Sequence, residues 1–403
     1  MKICEVEVYT LRFTYPVEER FEFAGGLCTG RLTSIVRVKT DDGLEGVGST
    51  YSHPQLVRTI IQDHLAPFLM GKNPLEIQNL WKQNQRLTQW YGRKGAPLSA
   101  LGAIDIALWD IAGKAKGVPV SKLLGAVTDR VPVYASGLLW RDDLHELREV
   151  AQQYLDLGFR AMKMRLGKNY SYDIEAVQQV RDVIGPDRRL MVDGNARYSL
   201  EGAKRVTPVF DELNVFWFEE PFQPDNLADF RELRRHTKTP LAAGENEFGL
   251  QGFEALVTNE AVDILQPDTC RTGGITEGVR IAKMAEDNGL KIAPHTWNDA
   301  VALAANLHFA ASCKNALTVE MDQTGNRFLN ELLRTKLVVE DGFLRVPTEP
   351  GLGIELDEDV LQRYAIDPNL PIPDGNYCDM VFGVSHYRET TPYPDARAEV
   401  SLK

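Results

Sequence analysis

Leu190-Met191-Val192-Asp193 is a short apolar run that ends in a carboxylate, and the same pattern recurs five times downstream. The steps between the polar ends are 26, 26, 23, 27 and 25 residues. A strand, a helix and two loops take about this many residues, so the spacing predicts successive βα units of a closed barrel. The polar ends are Asp193, Glu219, Glu245, Asp268, His295 and Glu320.

The position of these polar residues indicates a functional site. Barrels of this kind carry their chemistry at the C-terminal ends of the strands, which is where the six residues fall. A charge that ends an apolar strand is costly when its role is only structural. We therefore interpret the set as one site at the mouth of the barrel.

The bulk composition narrows the class of protein. A chain of 403 residues is too long for one ordinary core, so two domains are expected. The net charge of −12 argues against a nucleic-acid or anionic-membrane partner. No apolar run approaches the ~20 residues of a membrane span, and the start lacks a signal-peptide core. Five scattered cysteines favour a reducing cytoplasm.

The pattern along the chain divides it into three parts. Residues 1–128 read as an α+β capping domain, with strands in 1–50, a mobile loop at 15–31 and helices at about 55–69, after 74 and at 99–116. Strands and helices alternate over 129–333, which predicts a mostly parallel sheet. Residues 334–403 contain a hairpin signal and are expected to return to the cap.

Three of the carboxylates suit a metal ion. Asp193, Glu219 and Glu245 lie on consecutive predicted strands, which are roughly 4.8 Å apart. Like charges that close need compensation, and all-oxygen ligands favour Mg²⁺. Surface carboxylates paired with Arg or Lys are the alternative. The periodicity does not choose between Glu219 and Glu220, which point to opposite faces of a strand.

Two cations precede this cluster on an earlier strand. Lys163 and Arg165 are two residues apart, so on a strand they share a face. Across the barrel mouth they would bind an anionic substrate that bridges metal and cations. The alternative is that they serve as counter-charges for the acidic cluster, and both roles are compatible.

Asp268 and His295 end adjacent predicted strands. A carboxylate that orients an imidazole and raises its basicity is a common general-base device. Glu320 ends the final strand and could hold a substrate oxygen or a protonated intermediate. Asn195 shares the face of Asp193 and is a candidate hydrogen-bond donor to the substrate.

Substrate contacts from outside the barrel are harder to choose. His53 follows a predicted cap hairpin, and Tyr91 and Trp297 could form pocket walls. Aromatic residues are more often part of the core. Arg20 and Arg31 could meet a second substrate carboxylate, which would favour a diacid, or remain as solvated loop charges.

Several ordered strings resemble one known family, the enolase superfamily, and are closest to its mandelate racemase-like subgroup. The resemblance implies an α+β cap on a modified (β/α)7β barrel and one Mg²⁺ held by Asp193, Glu219 and Glu245. It also implies a His295–Asp268 dyad and enolate-forming chemistry. The strings are Val-Asp-Gly-Asn (192–195), Trp-Phe-Glu-Glu-Pro (217–221), Gly-Glu-Asn (244–246), Gln-Pro-Asp (266–268) and Ala-Pro-His (293–295).

One departure from the subgroup pattern bears on the reaction. Many members carry Lys-x-Lys on the second strand, with the second lysine as a base, whereas this chain has Lys163-Met164-Arg165. Arginine stays protonated in proteins, so Arg165 is a poor proton acceptor. The departure argues against two-base racemisation.

Three functions remain open from the sequence. The leading one is a Mg²⁺-dependent dehydratase of a small-molecule acid sugar, an aldonate or an aldarate, that yields a 2-keto-3-deoxy acid. The second is a racemase, epimerase or lactone cycloisomerase, which would need another proton-transfer group such as Lys163, Tyr91 or His53. The third is a non-catalytic barrel that binds a cation or a sugar acid. Barrels of this kind often assemble, so we expect a homo-oligomer.

Overall fold

The computed structural model describes residues 1–24, 26–367, 376–377 and 380–381. The chain opens with an antiparallel sheet in which β4 pairs β1 on one side and β5 on the other. A separate two-stranded hairpin is formed by β2 and β3. The strands are β1 (Ile3–Thr14), β2 (Phe21–Phe23), β3 (Gly26–Cys28), β4 (Gly30–Thr40) and β5 (Glu45–Thr50).

Helices cover one face of this sheet. The longest, α4, runs beneath β5, where Gly48 permits contact because a Cβ there would lie 1.9 Å from the carbonyl oxygen of Ala103. Among the described residues α4 is the one helix long and apolar enough to cross a membrane, and 83% of that window is buried. The cap helices are α1 (Pro54–Thr59), continued by a π-helical turn (Ile60–Leu65) into α2 (Ala66–Leu69), then α3 (Ile77–Thr88), α4 (Ala96–Lys116) and α5 (Val120–Leu123).

The second domain is a closed barrel of eight parallel strands with seven intervening helices. Neighbouring strands pair in chain order from β6 to β12, and β13 pairs β6. A bridge between Ile292 and Ala316 closes the remaining gap. The predicted (β/α)7β architecture with an α+β cap is therefore confirmed. Its elements are β6 (Arg130–Leu138), α6 (Leu144–Asp156), β7 (Ala161–Arg165), α7 (Tyr170–Ile184), β8 (Arg189–Asp193), α8 (Leu200–Glu212), β9 (Val215–Glu219), α9 (Leu227–His236), β10 (Leu241–Ala243), α10 (Gly249–Thr258), β11 (Ile264–Leu265), α11 (Ile275–Asp287), β12 (Lys291–Ile292), α12 (Ala300–Ser312) and β13 (Val319–Asp322).

The barrel interior is packed with apolar side chains below the polar mouth. Tyr134 and Trp217 meet edge to face, with ring centroids 5.4 Å apart. Met191, Ala242 and Ala293 belong to the same layer and are buried. Because the layer fills the barrel, polar side chains at the strand ends stand on an apolar floor.

Buried hydrogen bonds hold the cap on the mouth of the barrel. Thr33 and Ser49, on the cap sheet, both donate to Oδ2 of Asp299. Oδ1 of the same carboxylate accepts from the backbone of Val301 and Ala302 and so caps the N-terminus of α12. The cap sheet is thereby joined to the segment that follows His295.

The C-terminal region divides between the two domains, which differs in part from the expectation for 334–403. The hairpin of β14 (Val339–Glu340) and β15 (Phe343–Arg345) extends the barrel strand β6. After the short helix α13 (Arg327–Asn330), helix α14 (Glu358–Tyr364) lies against β1, where Leu11 and Ala365 form a bridge. Strand β17 (Met380–Val381), paired with β16 (Asn376–Tyr377), adds to β4 of the cap. The rest of the proline-rich tail lies outside the described residues.

The predicted loop at 15–31 instead contains a 3₁₀ turn (Val17–Glu19) followed by the hairpin of β2 and β3. Phe21 and Phe23 alternate with Glu22, and both phenylalanines are buried. Their ring centroids lie 6.3 and 5.8 Å from that of Trp297. The alternation places both rings on one face of β2, which packs over the barrel mouth.

Candidate active site

Three carboxylates converge at the ends of consecutive barrel strands. One oxygen from each of Asp193, Glu219 and Glu245 lies within 4.8 Å of the others. Asp193 and Glu219 end β8 and β9 and are fully buried, whereas the side chain of Glu245, two residues after β10, is 12% exposed. Burial, together with the neighbouring carboxylates, raises the pKa of Glu219 well above its ordinary value. Such a cluster requires positive charge.

The donor set fits a hard divalent cation. All three residues offer carboxylate oxygens, which Mg²⁺ prefers. Oε2 of Glu245 is buried and has no hydrogen-bond donor within the described part of the chain. The side chain of Glu220, by contrast, turns to Asn246 and is outside the cluster, so the structure decides between Glu219 and Glu220.

Two cations from β7 also reach the cluster, as the shared strand face predicts. Nζ of Lys163 contacts Glu219 and lies 3.2 Å from Asp193 and 3.0 Å from Glu320. Although burial alone would lower it, these carboxylates hold the pKa of Lys163 well above its ordinary value. Arg165 forms an ion pair with Asp193. Both cations are buried and neutralise the cluster in addition to any role toward substrate.

His295 and Asp268 form a buried hydrogen-bonded pair. Nδ1 of His295 lies 2.8 Å from Oδ2 of Asp268, which assigns the proton to Nδ1 and leaves Nε2 facing the cluster. Nε2 lies 3.5 Å from Glu245 and 3.6 Å from Glu320. Burial opposes protonation, but the carboxylates outweigh it and raise the pKa of His295 to about 9. A cation on Glu245 would offset part of that effect.

Glu320 completes the ring of polar groups on β13. Its Oε1 lies beside Lys163 and its Oε2 accepts from the backbone N–H of Thr296 at 3.1 Å. Burial raises the pKa of Glu320, but Lys163 and His295 outweigh it and hold that pKa far below its ordinary value. A persistent negative charge at this position faces both the proposed base and the lysine.

Trp297 and Asn195 lie at the same mouth. The guanidinium carbon of Arg165 is 4.4 Å from the centroid of Trp297, whose indole Nε1 has no hydrogen-bond partner among the described residues. The backbone of Asn195 adopts φ +42° and donates to Asp193 at 2.9 Å. Oδ1 of Asn195 is likewise without a partner in the described chain. Nε1 of Trp297 and Oδ1 of Asn195 are therefore candidate hydrogen-bonding atoms for a substrate.

The other predicted substrate contacts are not brought into this cluster. Arg20 donates to the carbonyl of Tyr15 at 3.4 Å, and Tyr91 is 53% exposed on the outer cap beside His64. His53 directly precedes α1, and burial lowers its pKa. Whether these three meet a substrate stays a prediction.

Arg31 is also not poised for a second substrate carboxylate. It is buried and pairs with Asp322 at 2.9 Å while donating to the carbonyl of Trp297 at 2.7 Å. Its charge is thus used to join the cap strand β4 to the barrel.

The sequence reasoning missed the side chains that orient the charged groups. Trp217 and Gln266 both donate to Oε2 of Glu219, at 2.9 and 2.7 Å. Asn306, one helix beyond the dyad, donates to Oδ1 of Asp268 at 3.2 Å. Trp217 and Gln266 fall inside the quoted strings, but no spacing rule reveals the inward position of Asn306 on α12.

Family comparisons agree with this geometry. Residues 146–360 match the enolase C-terminal domain-like family, and residues 7–125 match the mandelate racemase / muconate lactonizing enzyme N-terminal domain. Together these matches span the cap and the barrel.

Individual relatives carry several reaction names. The chain is 34% identical over 381 residues to the D-galactarolactone cycloisomerase of Agrobacterium fabrum, covering 91% of this chain and 100% of that protein. It is 32% identical over 332 residues to the arabinonate dehydratase of Saccharolobus solfataricus, covering 81% and 89%. A racemase from Streptomyces coelicolor A3(2), crystallised with bound magnesium, superposes with a TM-score of 0.84 at 29% identity, covering 90% and 100%.

Proposed function

Since the chain belongs to the mandelate racemase-like subgroup of the enolase superfamily, with its Mg²⁺ site at Asp193, Glu219 and Glu245, we propose that it is an acid-sugar dehydratase. The substrate class is an aldonate or aldarate, and the product is a 2-keto-3-deoxy acid. The observation that carries the proposal is a single oriented base, His295, beside Arg165, a permanently charged group that is a poor proton acceptor.

The proposed reaction begins with proton transfer to His295. Its Nε2 faces the cluster because Asp268 holds the Nδ1 proton. Nε2 removes the proton α to the substrate carboxylate, and the electron pair of the C–H bond shifts toward the carboxylate. Bound Mg²⁺ supplies Lewis-acid stabilisation of that carboxylate.

The second half of the reaction is loss of the β-hydroxyl. The new imidazolium of His295 returns its proton to the leaving oxygen, the C–O bond breaks, and water departs. The resulting enol tautomerises to the 2-keto acid. Lys163 and Arg165 stabilise the charge that develops on the carboxylate in between, in a buried site where such stabilisation is strong.

The chemistry of Arg165 favours elimination over racemisation. Racemisation needs proton transfer on both faces of the α carbon, and Arg165 stays protonated at any physiological pH. The carboxylates around it, Asp193 first, outweigh burial and raise its pKa further. Lys163 is the other amine, and its Nζ is engaged by three carboxylates.

A lactone cycloisomerase is the second candidate. The 34% identity to a D-galactarolactone cycloisomerase over 91% of this chain favours it. Loss of a ring oxygen at the β position requires the same α-proton removal as loss of a hydroxyl. The two candidates therefore use the same residues and differ in the leaving group.

A substrate screen separates these functions. Purified protein with Mg²⁺ is incubated with mono- and diacid sugars and their lactones, and 2-keto-3-deoxy products are scored by semicarbazone absorbance. An open-chain hit supports the dehydratase, and a hit confined to lactones supports the cycloisomerase. His295→Asn is the matched negative control, and near-native turnover by that variant would contradict the mechanism.

If none of the compounds in the screen gives a 2-keto-3-deoxy product, ¹H NMR in D₂O is the next measurement. Exchange of the α proton or a new stereoisomer without product formation would replace the dehydratase by a racemase or epimerase. If the NMR spectra show neither exchange nor a new stereoisomer while Mg²⁺ still binds, a non-catalytic binding role would remain.

We further propose that the enzyme works in the cytoplasm as a homo-oligomer without a nucleic-acid or membrane partner. Three cysteines of the described chain are buried and none is disulfide-bonded, as a reducing compartment allows. An apolar surface on the cap supports self-association, since Trp90 is 89% exposed beside Tyr91 at 53% and Leu87 at 42%.

A further inference from the structure

The residues that follow two of the metal ligands are bonded to each other. Glu220 follows Glu219, and Asn246 follows Glu245. Nδ2 of Asn246 donates to Oε2 of Glu220 at 2.7 Å, while its Oδ1 accepts from Nη2 of Arg271 at 3.2 Å. These three side chains, which we call the belt, link the loops after β9, β10 and β11.

Backbone bonds extend the belt to the loop after β8. The amide of Gly194 donates to the carbonyl of Glu219 at 2.8 Å, and that of Ala196 donates to the carbonyl of Glu220 at 2.7 Å. Glu220 adopts φ +35°, so the chain turns there and its side chain leaves the face occupied by Glu219. The loop that begins at Asp193 is thus joined to the same set.

Both ends of the belt are held firmly. Glu220 is 2% exposed, and Arg271 is 6% exposed between two aromatic rings. The guanidinium carbon of Arg271 lies 4.7 Å from the ring of Tyr51 and 5.1 Å from that of Phe248. The amide of Arg271 donates to the carbonyl of Asp268 at 2.9 Å, which ties this end to the dyad.

The two glutamate ligands differ in how they are supported. Oε2 of Glu219 accepts from Trp217 and Gln266, so two side chains orient it directly. Oε2 of Glu245 has no hydrogen-bond donor in the described part of the chain, and its side chain is 12% exposed. Beside the 3.5 Å approach of Nε2 of His295 to that oxygen, the position of Glu245 therefore depends on its neighbours along the chain.

We propose that Glu220, Asn246 and Arg271 are positioning residues that fix Glu245 relative to Glu219 and so set the affinity for Mg²⁺. Asn246 is the central member because it makes both belt bonds and is adjacent to Glu245. The role concerns the metal site alone and holds whichever elimination the enzyme performs.

Calorimetric titration of the full chain with Mg²⁺ tests this role, with the melting temperature of EDTA-treated protein measured in parallel. Asn246→Ala is expected to weaken Mg²⁺ binding by about tenfold or more, the usual effect of removing a partner behind a metal ligand. The metal-free melting temperature should fall by no more than about 2 °C. Asn226→Ala, which removes an exposed bond to Asp229 of 2.6 Å, is the matched control and should bind as the parent does.

Substitutions of Glu220 test the hydrogen bond itself. Glu220→Gln keeps an acceptor for Asn246 and should bind Mg²⁺ as the parent does, whereas Glu220→Ala should weaken binding. The Glu220→Ala/Asn246→Ala double variant should lose less affinity than the two single losses combined, because both substitutions remove the same Asn246–Glu220 bond.

Either of two results would overturn the proposal. One is Mg²⁺ binding by Asn246→Ala within about twofold of the parent, far below the loss typical of such partners. The other is Glu220→Gln binding as weakly as Glu220→Ala. If Asn246→Ala does not fold, the comparison of the two Glu220 variants decides alone.

Discussion

The guanidinium of Arg165 stacks on the indole of Trp297, with 4.4 Å between its central carbon and the ring centroid, while it pairs with Asp193. The stacking partner comes from the loop after β12, two residues beyond His295. The arginine is thus fixed from two directions, as its planar, permanently charged head group permits. A lysine at this position would keep the charge but lose the stack.

Arg165→Lys is expected to change the proton chemistry. The new amine can lose its proton. The variant should therefore slowly exchange the α proton of the substrate's C2 epimer with solvent. Its dehydration rate should fall by roughly tenfold, since a stacked, multiply bonded arginine is not replaced conservatively by lysine. ¹H NMR in D₂O measures the exchange and semicarbazone formation measures the dehydration.

Arg165→Met is the control for that substitution, because it keeps an unbranched side chain beside Trp297 without an amine. The methionine variant should not exchange the α proton of the C2 epimer. Exchange at equal rates in the lysine and methionine variants would show that the amine is not responsible.

Asp268→Asn should lower turnover by on the order of 10³-fold, because the imidazole of His295 loses the carboxylate that fixes its tautomer. The Mg²⁺ dissociation constant should stay close to that of the parent, since Asp268 is outside the carboxylate cluster. Steady-state kinetics and calorimetry measure the two quantities. Turnover within tenfold of the parent would contradict the role of the dyad.

Lys163→Met should destabilise the metal-free protein, because Asp193, Glu219 and Glu320 lose a shared buried cation. Removing one partner of a buried ion pair costs about 3–5 kcal/mol. Saturating Mg²⁺ should restore much of that loss by supplying charge to the same carboxylates. Thermal melts with EDTA and with Mg²⁺ measure both effects, and equal melting losses in the two conditions would count against a shared site.

The buried, neutral His308 is expected to make the folded protein less stable in mild acid. Its Nδ1 accepts from the amide of Ser121 at 3.0 Å, and its Nε2 donates to the carbonyl of Leu352 at 2.9 Å, so the folded protein holds it neutral. Burial lowers the pKa of His308 from 6.5 to about 4. The unfolded chain therefore binds the extra proton first. Stability is fully present above pH 6.5 and decreases by up to about 3 kcal/mol as the pH falls toward 4.

Denaturant-induced unfolding between pH 7 and pH 4 measures this pH dependence of stability, with His308→Gln as the comparison. Glutamine retains a donor for Leu352 but does not titrate, so the difference in stability between parent and variant should shrink as the pH falls. A difference independent of pH would show that His308 does not contribute to the acid sensitivity.

The sequence predicted the barrel well because its information is local and repeated. Each βα unit needs an apolar strand, a helix and two short loops, and a spacing near 25 residues records that unit directly. The strand Ala161–Arg165 and the approach of Asp193, Glu219 and Glu245 follow from it. The Mg²⁺ site is confirmed, whereas the catalytic roles of His295, Asp268 and Glu320 stay predictions.

The substrate side of the site was much less predictable. Arg31 reads as a loop cation, yet it is buried against Asp322, which is 291 residues away in the chain. Phe21 and Phe23 reach Trp297 only because the cap folds onto the barrel. Contacts between distant segments leave no periodic trace in the sequence.

The sequence by itself determined the strand order, the end of the barrel that carries the chemistry and the residue types available to bind Mg²⁺. The family resemblance already implied Glu219 rather than Glu220 as the ligand, but only the tertiary structure decided that Glu220 bonds to Asn246, which in turn bonds to Arg271. The reason is geometric. Strand period and composition specify which side chains share a face, but the turn at the end of a strand decides where the next side chain points.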